Sequence, residues 1–574
     1  MKNHLILTGL NQEFKRGEKN IFLGSWVEEI ANKENLKIKN DLNPYHWANY
    51  KKVEEDYEYL KKLYEKILLS LTFALNKYHD YKFDKRYWEV IIGWWLGYLI
   101  TILWDRWELV RNVFEKFDIG SVNLCQNEFS GLRVKDFSKV WLGEIFLDRN
   151  FNHLVFSEII RFKKYQNLKI SQFEIESEKL DFKSPIKKKN LKALLFKLFN
   201  KVYCNRQVLF YQASLHPNKF FSKKFLLKNP IFPLPEFDEN NFDINYIAKD
   251  KFTKLVFKTE NEFENFLIEN LHILIPLNIT YGLKSIKDQI KKIKFDPKII
   301  FTMYGHASND FFKVWLADKM NKGKKLIICE HGGDTEQKRY FDFHKNVADK
   351  MITHTTPKNN SEVQLPPTFA QKKKFLKTGS KLLYLCFNQY YFSYRIHNGP
   401  IGPEMQDYLL FSKNFLNRLN KDIKKSLIIR QGPLDIWKLK DKFRKYFGKK
   451  YVSNNKNLYK DLFNSKVVIN TCFGTTYIQT MVYNKPTILL LSKDLWNINK
   501  NVKNFYEVLK ENKLIFTDLE QANCHLSSIW DNPLDWWESK EINKIKKDFN
   551  KHFANQNNDQ WIKFFDNIID EMNV

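Results

Sequence analysis

The stretch Lys324-Lys325-Leu326-Ile327-Ile328-Cys329-Glu330-His331-Gly332-Gly333-Asp334 decides how the rest of the chain is read. Leu326 to Cys329 is a short apolar run, the pattern of a strand buried on both faces. It stops at an acid, a histidine and two glycines. Gly332 and Gly333 allow a sharp turn and a close backbone approach to a ligand. A carboxylate and an imidazole therefore sit at the end of a parallel strand, the end that faces the ligand crevice in open α/β sheets. The plain alternative is a strand-to-loop turn with a solvated Glu-His pair.

Outward from this stretch the α/β pattern continues on both sides. Upstream, a strand at 298–304 ends in Gly305-His306. A helix at 310–321, opened by Asn309-Asp310, then leads back to the focal strand, which makes a βαβ unit. Downstream lie strands at 349–354, 382–387, 426–430, 451–452, 466–470 and 486–491, alternating with helices at 405–419, 434–446, 457–463 and 475–483. That alternation predicts a doubly wound parallel sheet. Near the N-terminus, strands at 4–8 and 20–23 close on Gly9 and Gly24. An amphipathic helix at 50–79 and an apolar helix at 87–117 follow. Between them and the focal region the pattern gives helices at 140–147 and 191–202, strands at 152–156 and 207–212, and mostly helix over 244–294. Residues 357–370 (PKNNSEVQLPPTFA), with three prolines, read as a linker. The fold class is α/β with two Rossmann-like domains. The first spans 1–355 with a helical insertion at about 50–117, the second spans 371–535, and a helical tail covers 536–574.

Composition narrows the function classes. The 574 residues exceed a single core, and 43% hydrophobic with 16% aromatic content excludes long disorder. The net charge of +28 comes from 94 basic and 66 acidic residues. Its lysines are spread over every segment, with no arginine-rich arm and no zinc-finger spacing, so no nucleic acid partner is expected. The six cysteines form no CxxC pair, which points to a reducing, cytoplasmic setting without structural zinc. Val90 to Trp104 carries no charge, yet it is shorter than the roughly 20 residues of a spanning helix. It reads as a buried helix, with peripheral contact at the inner membrane as the alternative. Arg86, Asp105 and Arg106 beside it read as buried ion pairs.

The second chemical stretch is Val467 to Thr480, VVINTCFGTTYIQT. A strand runs into Asn470-Thr471, and Gly474-Thr475-Thr476 opens a helix whose free N–H groups and dipole suit a phosphate. The same tripeptide is also simply a good helix cap. Neither a Walker loop nor GxGxxG occurs. There is also no Asp-x-Asp and no metal-ligand cluster, so no metal and no cofactor is implied.

The combination resembles a family of glycosyltransferases from bacterial surface-polysaccharide gene clusters, first described in leptospiral O-antigen loci. The matching stretches are Phe22-Leu23-Gly24-Ser25-Trp26, Glu55-Asp56-Tyr57, Arg86-Tyr87-Trp88 with Gly93, Asp105-Arg106, Phe312-Lys313-Val314-Trp315, Glu330-His331-Gly332-Gly333, Gly474-Thr475-Thr476, Asn484-Lys485-Pro486-Thr487 and Trp536-Trp537. The chain departs from that family at Glu330, where Gln is usual, at Asp334-Thr335-Glu336, where Gly and Tyr-Gly are usual, and at Gln479, where Glu is usual. The resemblance implies a GT-B-like, metal-independent transferase with the site between two domains. It would take a nucleotide-sugar donor, with a CMP-linked nonulosonate or Kdo-like sugar among the candidates, and a glycan or lipid-linked glycan acceptor. Transfer needs a base for the acceptor hydroxyl and stabilisation of the leaving phosphate. His331 or Glu330 would be the base. Gly474, Thr475, Thr476 and Gln479 would hold the nucleotide, and Arg430 would neutralise its charge. His306 and Asn309 would flank the cleft, where Gly332, Gly333 and Gly24 allow close backbone approach. Two other readings stay open: a polyol-phosphate transferase and a non-catalytic basic scaffold at a membrane or nucleic acid.

Overall fold

The apolar runs pair into three five-stranded sheets, every strand pair in them parallel. The computed structural model describes residues 3–15, 18–33, 40–137, 148–175, 207–215, 220–229, 252, 254–333, 340–370, 379–432, 434–498 and 502–571. The first sheet holds β1 (Asn3–Ile6), β2 (Asn20–Phe22), β3 (Asn40–Leu42), β4 (Ile119–Cys125) and β5 (Lys169–Phe173) in the order β3-β2-β1-β4-β5. The second holds β6 (Val208–Tyr211), β7 (Ile299–Thr302), β8 (Lys325–Cys329), β9 (Lys350–Thr353) and β10 (Glu362–Gln364), laid side by side in chain order. The third holds β11 (Lys381–Leu385), β12 (Leu427–Arg430), β13 (Ser465–Asn470), β14 (Thr487–Leu490) and β15 (Ile515–Phe516) in the order β12-β11-β13-β14-β15.

The α/β class with parallel sheets is as expected, but residues 1–355 contain two sheets rather than one. The two long helices at Tyr50–His79 and Lys85–Lys116 are the reason. They are the crossover that carries the chain from β3 at one edge back to β4, on the far side of β1. The second of these helices is apolar enough to span a membrane, yet its most apolar window is 94% buried. Its Asp105-Arg106 pair is fully internal, whereas Arg86 is part-exposed and pairs with Asp349 at 3.2 Å. Between Glu89 and Gly93 the helix widens into a π-turn. A Cβ on Gly93 would lie 2.5 Å from the Tyr64 hydroxyl, so the widening packs against a ring that leaves no room for a side chain.

Other expectations shift locally. Residues 152–156 lie inside a helix, Arg149–Lys163, because its middle is buried almost all round and so lacks the polar face that marks a helix in sequence. Residues 140–147 and 191–202 lie outside the described residues. The expected linker at 357–370 contributes β10 to the second sheet. The short strand at 451–452 is a single bridge between Ile429 and Val452.

The sheets are bound together by the tail and by a junction between the first and third sheets, among other contacts. The tail leaves the third sheet and returns to the second. Trp561 and Phe565 join Phe210, Phe301 and Ile327 in one core, and the Trp561 indole donates to Pro366 O at 2.9 Å. The first sheet meets the loop between β11 and the helix Met405–Asn417. The Ser25 hydroxyl donates to Pro403 O, the Gln406 amide to Ser25 O, and the Arg106 guanidinium to Ser393 O. Trp26 packs on Phe392 with ring centres 4.9 Å apart. At this junction Glu404 is buried and accepts the Ile401 N–H at 2.9 Å. Burial pushes its carboxyl up to about 8.

Candidate active site between the second and third sheets

The turn after β8 is held from below. The Glu330 carboxylate accepts the Thr353 hydroxyl at 3.1 Å and the His354 N–H at 3.0 Å, tying the end of β8 to the end of β9. His354 is buried, with one ring nitrogen 3.2 Å from Glu330 O and the other 3.2 Å from Leu365 O. Burial lowers its pKa to about 4, so the ring is neutral at pH 7. His331, one residue beyond this brace, is exposed and stands edge-on to Tyr304 with ring centres 5.0 Å apart. The turn thus separates its two polar side chains: Glu330 positions and His331 is offered to solvent.

The second stretch lies where a ligand is expected. In the third sheet the strand order reverses between β11 and β13, and an open α/β sheet binds its ligand outside the carboxyl ends of the strands at that reversal. β13 ends there in Asn470, and Gly474 caps the helix Thr475–Val482. The start of that helix leaves N–H groups without acceptors inside the helix. The floor is fixed by hydroxyls. Tyr408 Oη and Thr471 Oγ1 are 2.7 Å apart, Thr471 donates to Leu385 O, and Tyr408 Oη accepts the Phe387 N–H.

These two stretches, 142 residues apart, touch. The Gly333 N–H donates to Thr475 Oγ1 at 3.0 Å. A Cβ on Gly333 would lie 2.4 Å from Ile478 Cδ1, 3.0 Å from Phe369 Cζ and 3.2 Å from Thr475 Cα, so only glycine fits. Gln479, one turn along the helix, donates its amide to Phe369 O at 2.9 Å. A glutamate there would set a carboxylate against a carbonyl, so the departure to glutamine suits this contact. Gly333→Ala is expected to push the two stretches apart and lower transfer by about 100-fold, the cost of roughly 1 Å of misplacement. Steady-state kinetics on the folded variant checks this.

Other expected site residues serve elsewhere. Arg430 is not a free phosphate ligand. Its guanidinium pairs with Asp461 at 2.5 Å and donates to Asn455 O and Lys456 O, which closes the end of β12. Arg430→Met is therefore expected to lower the melting temperature while changing nucleotide affinity less than about twofold, by the logic of a broken buried pair. Titration calorimetry reads the affinity. Asn309 caps the helix Asp310–Met320 through the Phe312 N–H at 2.8 Å, so it is structural rather than a cleft group. His306 is buried among Trp94, Phe343 and His344, with its Nε2 3.0 Å from His344 Nε2. Burial and the neighbouring His344 and Lys313 hold it well below the usual histidine range. Gly24 makes room for Trp26, whose ring would meet a Cβ at 2.1 Å. Gly332 and Thr476 are half-buried beside Gly333 and Thr475. Sequence reasoning missed Phe369, Thr353 and Tyr408, and it placed Thr471 at the end of a strand in the second stretch without giving it a role. The only signal for Phe369 was the Pro366-Pro367 pair before it, and Thr353 and Tyr408 carry none.

Two rival sites are filled by the protein itself. The first sheet also reverses its order, between β1 and β4. There the buried Glu13 carboxylate accepts the N–H groups of Leu7, Thr8 and Leu10 and the Thr8 hydroxyl, the donors a phosphate would use. His46, Asp56 and Glu108 bring their ligand atoms within 4.8 Å of one another. The Lys52 ammonium lies 2.6 Å from Glu108 and 3.0 Å from Asp56, so this cluster already holds a cation.

The pattern defining the LIC12162 family transferases matches residues 3–569. The chain belongs to that family. Its members are transferases, and the match takes in both stretches that meet at Gly333 and Thr475. No curated protein matches the sequence. Solved structures that it resembles include the apo form of the lipopolysaccharide outer core galactosyltransferase WaaB, at 12% identity and a TM-score of 0.29 over 51% of this chain and 80% of that one. MurG of Acinetobacter baumannii matches at 10% identity and a TM-score of 0.31 over 64% and 92%. Likeness this slight transfers no residue roles to a LIC12162 family chain.

Proposed function

We propose that this transferase moves a glycosyl unit from a nucleotide-sugar donor to a glycan or lipid-linked glycan acceptor, in a GT-B-like cleft between the second and third sheets. The observation that carries the reading is the Gly333–Thr475 contact, which sets an exposed histidine beside a helix N-terminus at a strand-order reversal. The nucleotide lies on the third sheet, its phosphate against Gly474, Thr475 and Thr476. The acceptor hydroxyl oxygen attacks the anomeric carbon while the bond from that carbon to the phosphate oxygen breaks. His331 takes the hydroxyl proton, and the helix N-terminus stabilises the departing phosphate. Glu330 is a positioning residue that fixes the turn carrying His331. The donor class to test first is a CMP-linked nonulosonate or Kdo-like sugar, and the setting is the cytoplasmic face of the inner membrane.

Incubation with CMP-, UDP- and GDP-sugars and an oligosaccharide acceptor, read by mass spectrometry, tests the reaction class. A product heavier by one glycosyl residue and free of phosphorus supports the reading. A product that retains phosphorus replaces it with polyol-phosphate transfer.

A further inference from the structure

Lysines occur in every segment of the chain, but one stretch concentrates them without matching acids. Residues 412–450 carry 13 basic and three acidic side chains. All three acids are engaged: Asp422 pairs with Lys425, Asp441 with Arg444, and Asp435 caps the N–H groups of Leu439 and Lys440. Lys421, Lys438, Lys445, Lys449 and Lys450 are exposed and have no acidic partner among the described residues. These segments form one surface. The Lys413 ammonium sits 4.1 Å from the Tyr446 ring and Lys424 5.4 Å from the Phe447 ring, which joins the helices Met405–Asn417, Lys421–Lys425 and Leu439–Phe447. Within it, Leu410 is 56% and Tyr446 45% exposed. Lysine also guards sheet edges, and β12 is an edge strand, but a guarded edge calls for charge without exposed leucine and tyrosine.

We propose that this face docks on an anionic lipid bilayer, with Leu410 and Tyr446 entering the headgroup boundary and the unpaired lysines meeting lipid phosphates. An exposed apolar pair inside a surplus of lysine is the composition of an interfacial membrane contact. A nucleic acid would match the charge but not the leucine. The assignment rests on charge and exposure and does not depend on the transfer reaction.

The test is co-sedimentation of the full chain with phosphatidylcholine vesicles, with and without phosphatidylglycerol, at low and high salt. Each lysine near an anionic surface contributes about 1 kcal/mol. The triple variant Lys445→Ala, Lys449→Ala, Lys450→Ala should therefore bind phosphatidylglycerol vesicles about 100-fold more weakly. Leu410→Ser should remove the part of binding that survives high salt. Removing equal charge from another exposed surface, with Lys540→Ala, Lys544→Ala and Lys547→Ala, should cost far less. The proposal fails if the wild type ignores phosphatidylglycerol, or if the control triple loses as much as the test triple. It also fails if a single-stranded RNA oligomer displaces the protein from vesicles and the test triple abolishes RNA binding instead. Circular dichroism confirms that each variant is folded.

Discussion

His331→Ala is expected to lower kcat by between about 10²- and 10⁴-fold, the range of a lost general base, and to leave nucleotide affinity nearly unchanged. The structure gives the reason for the split. His331 is exposed on the turn after β8, while the proposed phosphate contacts come from Gly474, Thr475 and Thr476 on the other sheet. The turn itself is secured by Glu330 and by the Gly333 N–H, neither of which needs the imidazole. Single-turnover rates against pH sharpen the test. A base role predicts that the wild-type rate falls on the acid side and that the variant loses this limb. Full activity in His331→Ala would remove the catalytic role.

Glu404→Gln is expected to stabilise the protein on the order of 4 kcal/mol at pH 9 and to change little at pH 4.5. Glu404 is buried where the first sheet meets the loop before Met405, and its folded pKa is raised to about 8 from 4.5. A carboxyl whose folded pKa is raised favours the folded state below its unfolded value, and that contribution is lost as pH climbs towards 8. Glutamine keeps an oxygen for the Ile401 N–H without the charge. The buried histidines set the opposite limb. His354 and His525 are lowered to about 4, so the unfolded chain gains protons first as pH falls below 6.5, and stability declines from there down to about pH 4. Urea unfolding of wild type and Glu404→Gln across this range should show an alkaline limb that flattens in the variant and an acid limb common to both.

The strands that carry the site were the easiest to read. β8 and β13 each carry a short apolar centre, Leu326–Cys329 and Val467–Ile469, with glycines a few residues beyond, and the structure ends both strands within a residue or two of the expected places. Edge strands were harder. β3 reads Asn-Asp-Leu and β5 is largely exposed, so neither shows a buried pattern, and without them the first sheet could not be recognised as separate. The helix pair at 50–116 then looked like an insertion, when it is the crossover that makes that sheet reverse.

Charged residues at strand ends misled in the other direction. Glu330 and Arg430 stand where chemistry is usual, yet each spends its charge on a neighbouring loop or strand. Sequence position places a side chain at the crevice, but only the partners around it tell whether it faces a ligand. Several stretches behind the family resemblance also proved to be joints. Gly24 and Asp105-Arg106 lie at the junction with the third sheet, and Asn484 accepts the Trp537 indole N–H at 2.8 Å. What no local pattern could supply was the meeting of Gly333 with Thr475, because contacts that far apart in the chain leave no periodicity behind.

The most direct measurement is a thermal-shift screen of the purified protein against CMP, CDP, UDP, GDP and ADP, repeated with Thr475→Ala plus Thr476→Ala. At about 100 times its dissociation constant, a bound nucleotide adds roughly 2.7 kcal/mol of stability. The expected result is a clear shift with one nucleotide class and its loss in the double variant. No shift with any nucleotide, or a shift that survives the double variant, would contradict the assignment of the phosphate to the Gly474–Thr476 helix start.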